Sequence, residues 1–175
     1  MAIWPFRRSR AREDAELLLS AVSQISRQPD FFGEERTPDT LEGRFELMTV
    51  HAALALMRLG GDEALAPLGQ EFTDVLFRHF DAGLREAAVG DLAVPRRMRS
   101  MAGAFYGRFE AYAKALSAGD SLALTEALRR NVLSTPAAEA FAPTLADYMT
   151  RTVKKQAEAP AQAMFRLDGW AQAPA

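Results

Sequence analysis

Arginines cluster on both sides of a short break near the middle of the chain. A guanidinium group binds carboxylates, phosphates and haem propionates, often through two parallel hydrogen bonds. Three of these arginines follow Pro95, where proline predicts the first turn of a helix. Cations there oppose the positive end of the helix dipole, at a cost of about 0.3–1 kcal/mol each. The arginines that are candidates for binding a partner are Arg85, Arg96, Arg97, Arg99 and Arg108.

Two interpretations of this arginine cluster remain open. As a binding surface it could take ribosomal RNA, a protein loop or lipid head groups, and binding to RNA would be mainly electrostatic. As a plain solvated face it would pair with nearby acids such as Glu86 and Asp91. Asp91 follows Gly90, and it is either a helix cap or a direct partner contact.

Signatures of catalysis and of metal binding are missing from the sequence. There is no GxxxxGK[ST] segment and no GxGxxG after a strand. His51 and His79 lie on different predicted helices without an associated Glu-x-x-His pattern. The chain has no cysteine, which excludes disulfides and thiolate ligands. We therefore predict no enzyme, no metal site and no cofactor. A haem carrier using the two histidines, or a small helical enzyme, remains the alternative.

The N-terminal segment, residues 1–11, combines bulky apolar side chains with arginine. The residues proposed to touch a membrane surface are Trp4, Phe6, Arg7 and Arg8. Each basic residue near an anionic leaflet contributes about 1 kcal/mol, so one such segment gives weak, reversible binding. The alternative is a frayed terminus whose aromatic rings pack onto the core.

Helical periodicity runs through most of the chain, and no long stretch alternates like a strand. Apolar spacing, capping residues, glycine and proline predict helices over 12–27, 37–59, 63–88, 95–118, 120–133 and 135–158. Pro143 should kink or divide the last of them. Gly103 and Gly107 lie four apart, which indicates close contact with another helix. The fold class is therefore all-α, a single-domain bundle of about six helices.

A domain organisation follows from these elements. Residues 1–11 form the N-terminal segment, residues 12–159 form the helical domain, and residues 160–175 form a tail that is either docked by its few apolar anchors or mobile. Those anchors are Met164, Phe165, Leu167 and Trp170.

Composition narrows the function classes further. The chain has 175 residues, 49% of them hydrophobic, and a net charge of -2. It is therefore not a DNA-binding type. The longest uninterrupted apolar run, Ala52 to Met57, is far shorter than the roughly 20 residues that span a bilayer. We expect a cytoplasmic protein. The N-terminal segment adds a second possibility, peripheral contact with the inner face of the cytoplasmic membrane.

The region around the arginine cluster resembles the ubiquinol–cytochrome c chaperone family, which has mitochondrial and alphaproteobacterial members. The motifs that carry the resemblance are Leu84-Arg85-Glu86, Val89-Gly90-Asp91 and Phe105-Tyr106-Gly107-Arg108, at the spacing of the family. Upstream, Phe45, His51, Arg58 and Leu59 resemble the preceding helix. The likeness covers roughly residues 31–116. On this basis Asp91 and Tyr106 join the arginines as candidate client- or partner-binding residues.

The resemblance implies a non-enzymatic factor that binds newly made cytochrome b and helps ubiquinol–cytochrome c reductase to assemble. In mitochondria, members work with a small partner protein near the ribosome. An apolar groove would shield the client, with Met48, Met57, Met98 and Met101 as an adaptable lining, although these methionines are also ordinary core residues. A general adaptor for membrane-protein biogenesis is the remaining alternative.

Overall fold

A computed structural model describes residues 10–86, 93–133 and 135–174. The described residues are almost entirely helical, and their one β-type contact is an isolated bridge between Phe32 and Thr37. The α-helices are α1 (Arg10–Ser26), α2 (Leu41–Gly60), α3 (Ala66–Glu86), α4 (Val94–Ala118), α5 (Ser121–Asn131), α6 (Pro136–Glu139) and α7 (Ala142–Ala157). Because α6 is a single turn, the predicted all-α bundle of about six helices is confirmed.

Helix α2 lies at the centre of the bundle. The ten consecutive residues from Glu46 to Ala55 are all buried, so this helix is covered on every side. It packs against α1, α3, α4 and α7. A helix that is buried all round needs small or apolar residues on every face. The alanines at 52, 53 and 55 meet that need.

Helices α3 and α4 form an antiparallel pair joined by aromatic contacts. The ring of Phe77 lies 5.5 Å from that of Phe105 and 5.8 Å from that of Tyr106, and Phe80 lies 6.5 Å from Phe105. Glu86 and Val94 are eight residues apart in sequence, so they can be separated by at most about 29 Å. A parallel pair in contact at Phe77 and Phe105 would place them roughly 30 Å apart along the helix axis and further apart in space, so the pair is antiparallel. The C-terminal end of α3 therefore lies beside the N-terminal end of α4.

One predicted helix start is wrong, and another is displaced by one turn. Helix α2 begins at Leu41 and not at Thr37, because Thr40 is the residue whose side chain accepts from the Gly43 N–H, at 3.1 Å. Thr37 is instead fully buried, and its N–H donates to the carbonyl of Phe31. Asp62 caps the chain at the predicted place, but the turn that it begins, Glu63–Leu65, is 3₁₀, and α3 follows directly after it. Pro67 in the first turn of α3 accounts for this delay.

Capping chemistry places the later helix ends as predicted. Gly119 adopts a left-handed conformation (φ 66°) that ends α4, and the Asp120 carboxylate accepts from the Ala123 N–H to begin α5. Thr135 caps α6 through the Ala138 N–H. Pro143 divides the last predicted helix, so that α6 and α7 are separate.

The C-terminal tail packs on the bundle along its whole described length, as far as residue 174. Trp170 is 1% exposed, and its indole N–H donates to the carbonyl of Met164 at 3.1 Å. Side chains of α7 hold the backbone of the tail, since Lys155 donates to the carbonyl of Trp170 and Arg151 to that of Gln172. Of the two alternatives for the tail, the docked one is therefore correct.

The two glycines of α4 have no packing partner among the described residues. A Cβ atom at Gly103 or at Gly107 would meet nothing within 4 Å, so the predicted close contact with another helix of this chain is wrong.

Replacement of either glycine by alanine should therefore stabilise the free protein by about 1 kcal/mol, because alanine loses less backbone entropy in a helix and meets no neighbour here. Urea unfolding of Gly103→Ala and Gly107→Ala measures this. Gly43→Ala is the control, because a Cβ there would lie 2.0 Å from the carbonyl oxygen of Pro38 and must destabilise. Destabilisation at residue 103 or 107 would contradict the open environment.

Candidate functional site

Most of the candidate arginines meet at one end of the α3–α4 pair. Arg96, Arg97 and Arg99 lie in the first two turns of α4 and are exposed. Arg85 lies in the last turn of α3, and the antiparallel packing brings that turn to the same end. We call these four residues the arginine end. Four of the five candidate arginines therefore lie on one surface of the structure.

Arg27, the residue directly after α1, is a basic residue near this surface that sequence reasoning missed. Burial lowers the pKa of His79, and the positive charge of Arg27 lowers it further, whereas Glu86 raises it. The two charged groups are therefore close enough to His79 to act on its ring. Arg27 reaches this surface because α1 packs along α3, and the local sequence around Arg27 does not predict that position.

Three of the four guanidinium groups of the arginine end are available to a partner. Arg85 pairs with Asp81 one turn earlier on α3, with Nε and Oδ2 2.8 Å apart. With the other described residues, Arg96, Arg97 and Arg99 make no side-chain hydrogen bond or ion pair. Elsewhere on the surface such pairs are common, for example Arg44 with Asp39 and Arg151 with Asp147. An anionic partner could therefore bind without first displacing a described carboxylate from these three arginines.

Arg108 does not belong to the arginine end. It lies three turns further along α4, and its guanidinium forms two hydrogen bonds with the carboxylate of Glu46 on α2, at 2.5 and 2.6 Å. The Arg108 side chain is 20% exposed and that of Glu46 is 11% exposed. Burial raises the pKa of Glu46, although the charge and the hydrogen bonds of Arg108 oppose this. The pair ties α4 to the central helix, which is a structural role.

Tyr106 is the exposed aromatic residue of α4. Its side chain is 52% exposed, and its ring is tilted by 31° against that of Phe77 on α3. Beside Phe77 lies an open groove of about 390 Å³, lined by Asp74, Phe77, Arg78 and Asp81. Tyr106 therefore continues the surface of the arginine end along the helix pair.

The remaining candidate residues lie outside the described residues. They are Trp4, Phe6, Arg7 and Arg8 of the proposed membrane contact, and Asp91 between α3 and α4.

His51 is a core residue with both ring nitrogens engaged. Nδ1 lies 2.7 Å from the carbonyl oxygen of Leu47, which only accepts, so Nδ1 carries the proton. Nε2 lies 2.9 Å from the hydroxyl of Tyr148 and therefore accepts from it. The rings of Phe31 and Trp170 pack around the imidazole. A haem ligand would need the Nε2 lone pair that Tyr148 occupies, so this geometry does not favour the histidine-pair alternative.

Complete burial lowers the pKa of His51 to about 4. Between pH 6.5 and 4 the unfolded chain therefore binds more protons than the folded one, and acidification destabilises the fold. The expected loss is about 1.4 kcal/mol per pH unit in that window, since one residue titrates. Urea titrations at several pH values for the wild type and for His51→Gln measure it, and surface carboxylates cancel in the difference. Parallel pH profiles would contradict a neutral buried His51.

The described residues contain neither a candidate metal site nor a candidate membrane-spanning helix. They contain no group of three or more histidine, aspartate and glutamate residues able to hold a metal ion. No described helix is both long and apolar enough to cross a membrane.

Of the four methionines considered as groove lining, Met48 is buried and its sulfur accepts from Ser26, so it cannot line an open groove. Met57 is half-buried, and Met98 and Met101 are partly buried against the core.

Comparison with known proteins identifies the family. The family model described as "Ubiquinol-cytochrome C chaperone" matches residues 34–168. A solved structure, the crystal structure of the Cbp3 homolog from Brucella abortus, superposes with a TM-score of 0.80 at 35% identity, covering 95% of this chain and 94% of that one. No curated protein shows a significant match. Because the family model spans the helical core and a homologous structure covers nearly the whole length, the chain belongs to the ubiquinol–cytochrome c chaperone family.

Proposed function

We propose that this protein is an assembly chaperone for ubiquinol–cytochrome c reductase that binds newly made cytochrome b at the arginine end. The observation that carries the proposal is membership of the chaperone family, which supports a role in assembly of the complex. Arg96, Arg97 and Arg99 are exposed and have no described carboxylate partner, and such guanidinium groups suit the binding of an anionic client or partner. Family membership also points to a non-enzymatic factor that holds its client without hydrolysing a nucleotide.

The place of action follows from the client. Cytochrome b enters the membrane from the cytoplasmic side, so we propose that the chaperone works there, at the inner face of the cytoplasmic membrane. Contact of Trp4, Phe6, Arg7 and Arg8 with anionic lipid would raise its concentration at that surface. Binding to the ribosome or to a small partner protein belongs to the same proposal, because either would bring the chaperone to the client early.

A deletion strain tests the proposed function directly. Reduced-minus-oxidised absorbance spectra of its membranes report b-type and c-type haem separately. The cytochrome b signal and the ubiquinol–cytochrome c reductase activity should fall together, and a plasmid-borne copy of the gene should restore both. Unchanged signals would favour the general adaptor of membrane-protein biogenesis over a factor dedicated to this complex.

Charge reversal tests the site. The double variant Arg96→Glu, Arg97→Glu should keep its helix content and unfolding midpoint, because both side chains are exposed and without a described partner, yet recover far less cytochrome b on affinity purification. The matched control is Arg130→Glu with Lys154→Glu, which makes the same change in charge at exposed residues of α5 and α7. Equal recovery by the wild type and the Arg96, Arg97 variant would exclude the arginine end as the site.

A further inference from the structure

Exposed apolar side chains are scattered over the described residues. The large ones lie on four different helices and on the tail, and no described helix presents two of them: Leu17, Leu41, Tyr106, Leu122 and Leu167. A membrane-spanning helix is apolar on all sides over about 20 residues, and shielding it requires a long apolar groove. Met48, a candidate for lining such a groove, is buried in the core. The described surface is therefore poorly suited to cover a membrane-spanning client helix.

One face of α4 combines charge with an exposed ring. Arg96, Arg99 and Tyr106 follow one another at spacings of three and seven residues, which places them along one side of the helix. From Arg99 to Tyr106 the rise is roughly 10 Å, about two helical turns. The ring of Tyr106 rests beside Phe77, at the edge of the groove on α3. This face can contact a segment with negative charge at one end and an apolar side chain two turns away.

Acidic side chains around this face restrict the class of partner. Asp74 and Asp81 line the groove together with Arg78, Asp81 is paired with Arg85, and Glu110 lies one turn beyond Tyr106. A nucleic-acid backbone or an anionic bilayer presents negative charge over its whole surface, so it would also meet the carboxylates of Asp74 and Glu110, which form no ion pair with a described residue. A peptide can place its carboxylates against the arginines alone. Local charge complementarity therefore favours a protein segment.

We propose that the α4 face from Arg96 to Tyr106 docks an acidic, water-exposed segment of the client, and that the membrane-spanning helices of the client are not bound there. The proposal rests on cytochrome b being the client. The carboxylates of the segment bind Arg96 and Arg99, and one apolar side chain packs on the rings of Tyr106 and Phe77. The chaperone then recognises the part of the client that remains in water, while the membrane accommodates the apolar helices.

Overlapping 20-residue synthetic peptides covering cytochrome b of the same organism test this. They are immobilised and probed with the full-length chaperone in mild non-ionic detergent, and the tightest binders are labelled for fluorescence anisotropy. Binding is expected on acidic peptides from the membrane-external segments. Versions of these peptides with asparagine and glutamine in place of aspartate and glutamate should bind about tenfold more weakly, as expected for loss of charged contacts.

Variants of the chaperone locate the surface. Arg96→Gln with Arg99→Gln, and separately Tyr106→Ala, should each weaken peptide binding by about tenfold, since an arginine or tyrosine at the centre of an interface often dominates affinity. Gly103→Gln should do the same, because it adds bulk between the two anchors at a position where the free fold has open space. Arg130→Gln with Lys154→Gln is the matched control and should leave the affinity unchanged.

Each outcome decides a separate question. Preferential binding to membrane-spanning peptides, or equal affinity for the wild type and all three variants, overturns the docking proposal and leaves the assembly role in place. Absence of binding to every peptide overturns it as well. Failure of the assembly role is read independently, from a deletion strain that keeps normal cytochrome b and reductase activity.

Discussion

Replacement of Arg108 by alanine should lower the free energy of unfolding by about 3 kcal/mol, a larger effect than is expected at any residue of the arginine end. The substitution leaves the Glu46 carboxylate buried on α2 without its two hydrogen bonds. Burial already raises the pKa of Glu46 while Arg108 is present, so desolvation outweighs the attraction. An unpaired carboxyl there must either stay charged at high cost or take up a proton. Urea unfolding at pH 7.5 measures the loss.

A double variant separates the net contribution of the ion pair to the free energy of unfolding from the loss caused by removing one partner alone. Glu46→Leu with Arg108→Met removes both charges and fills a similar volume, so it should recover most of the stability lost in Arg108→Ala. Client binding should also survive in the double variant, because Arg108 faces the central helix and lies away from the arginine end. Loss of client binding at normal stability would show that Arg108 contacts a partner, contrary to its assignment as a structural residue.

Local chemistry explains what could be predicted from the sequence. Four residues determine helix ends within four positions of themselves. Asp120 and Thr135 cap the helices that follow them, Gly119 supplies a left-handed turn, and Pro143 lacks a backbone N–H. Their effects could therefore be predicted without knowledge of the fold. The start of α2 was harder, since Thr37-Pro38 and Thr40 are both capping signals, and tertiary burial of Thr37 decides between them.

The role of each candidate residue depended on contacts that are distant in sequence. Tyr106, Gly107 and Arg108 are consecutive and appear together in the motif that resembles the family. In the structure the first carries an exposed ring, the second borders open space, and the third forms a partly buried ion pair with a residue 62 positions earlier. Helical rotation of about 100° per residue separates the three. Residues that are adjacent in one motif therefore lie on different faces of the helix, and Arg108 is already paired within the fold.

The same kind of distant contact governs the tail, where Trp170→Ala should cost about 3–5 kcal/mol, the range for truncating a buried tryptophan. Its ring lies 5.6 Å from that of His51 in the aromatic cluster, and its carbonyl accepts from Lys155. Leu167→Ala is the matched control from the same segment, and it should cost little because Leu167 is 41% exposed. Urea unfolding, followed by circular dichroism so that the loss of a fluorophore does not matter, measures both.

Loss of Trp170 should also change the response of the fold to acid. The pKa of His51 is low because its ring is wholly buried, and removal of the indole admits water to the cluster. The pKa should then rise towards its ordinary value of about 6.5, and the destabilisation between pH 6.5 and 4 should shrink. A tail that merely lay on the surface would give a small loss of stability in Trp170→Ala and an unchanged pH profile. A large loss together with a flatter profile is expected only if the last residues of the chain complete the core around the central helix.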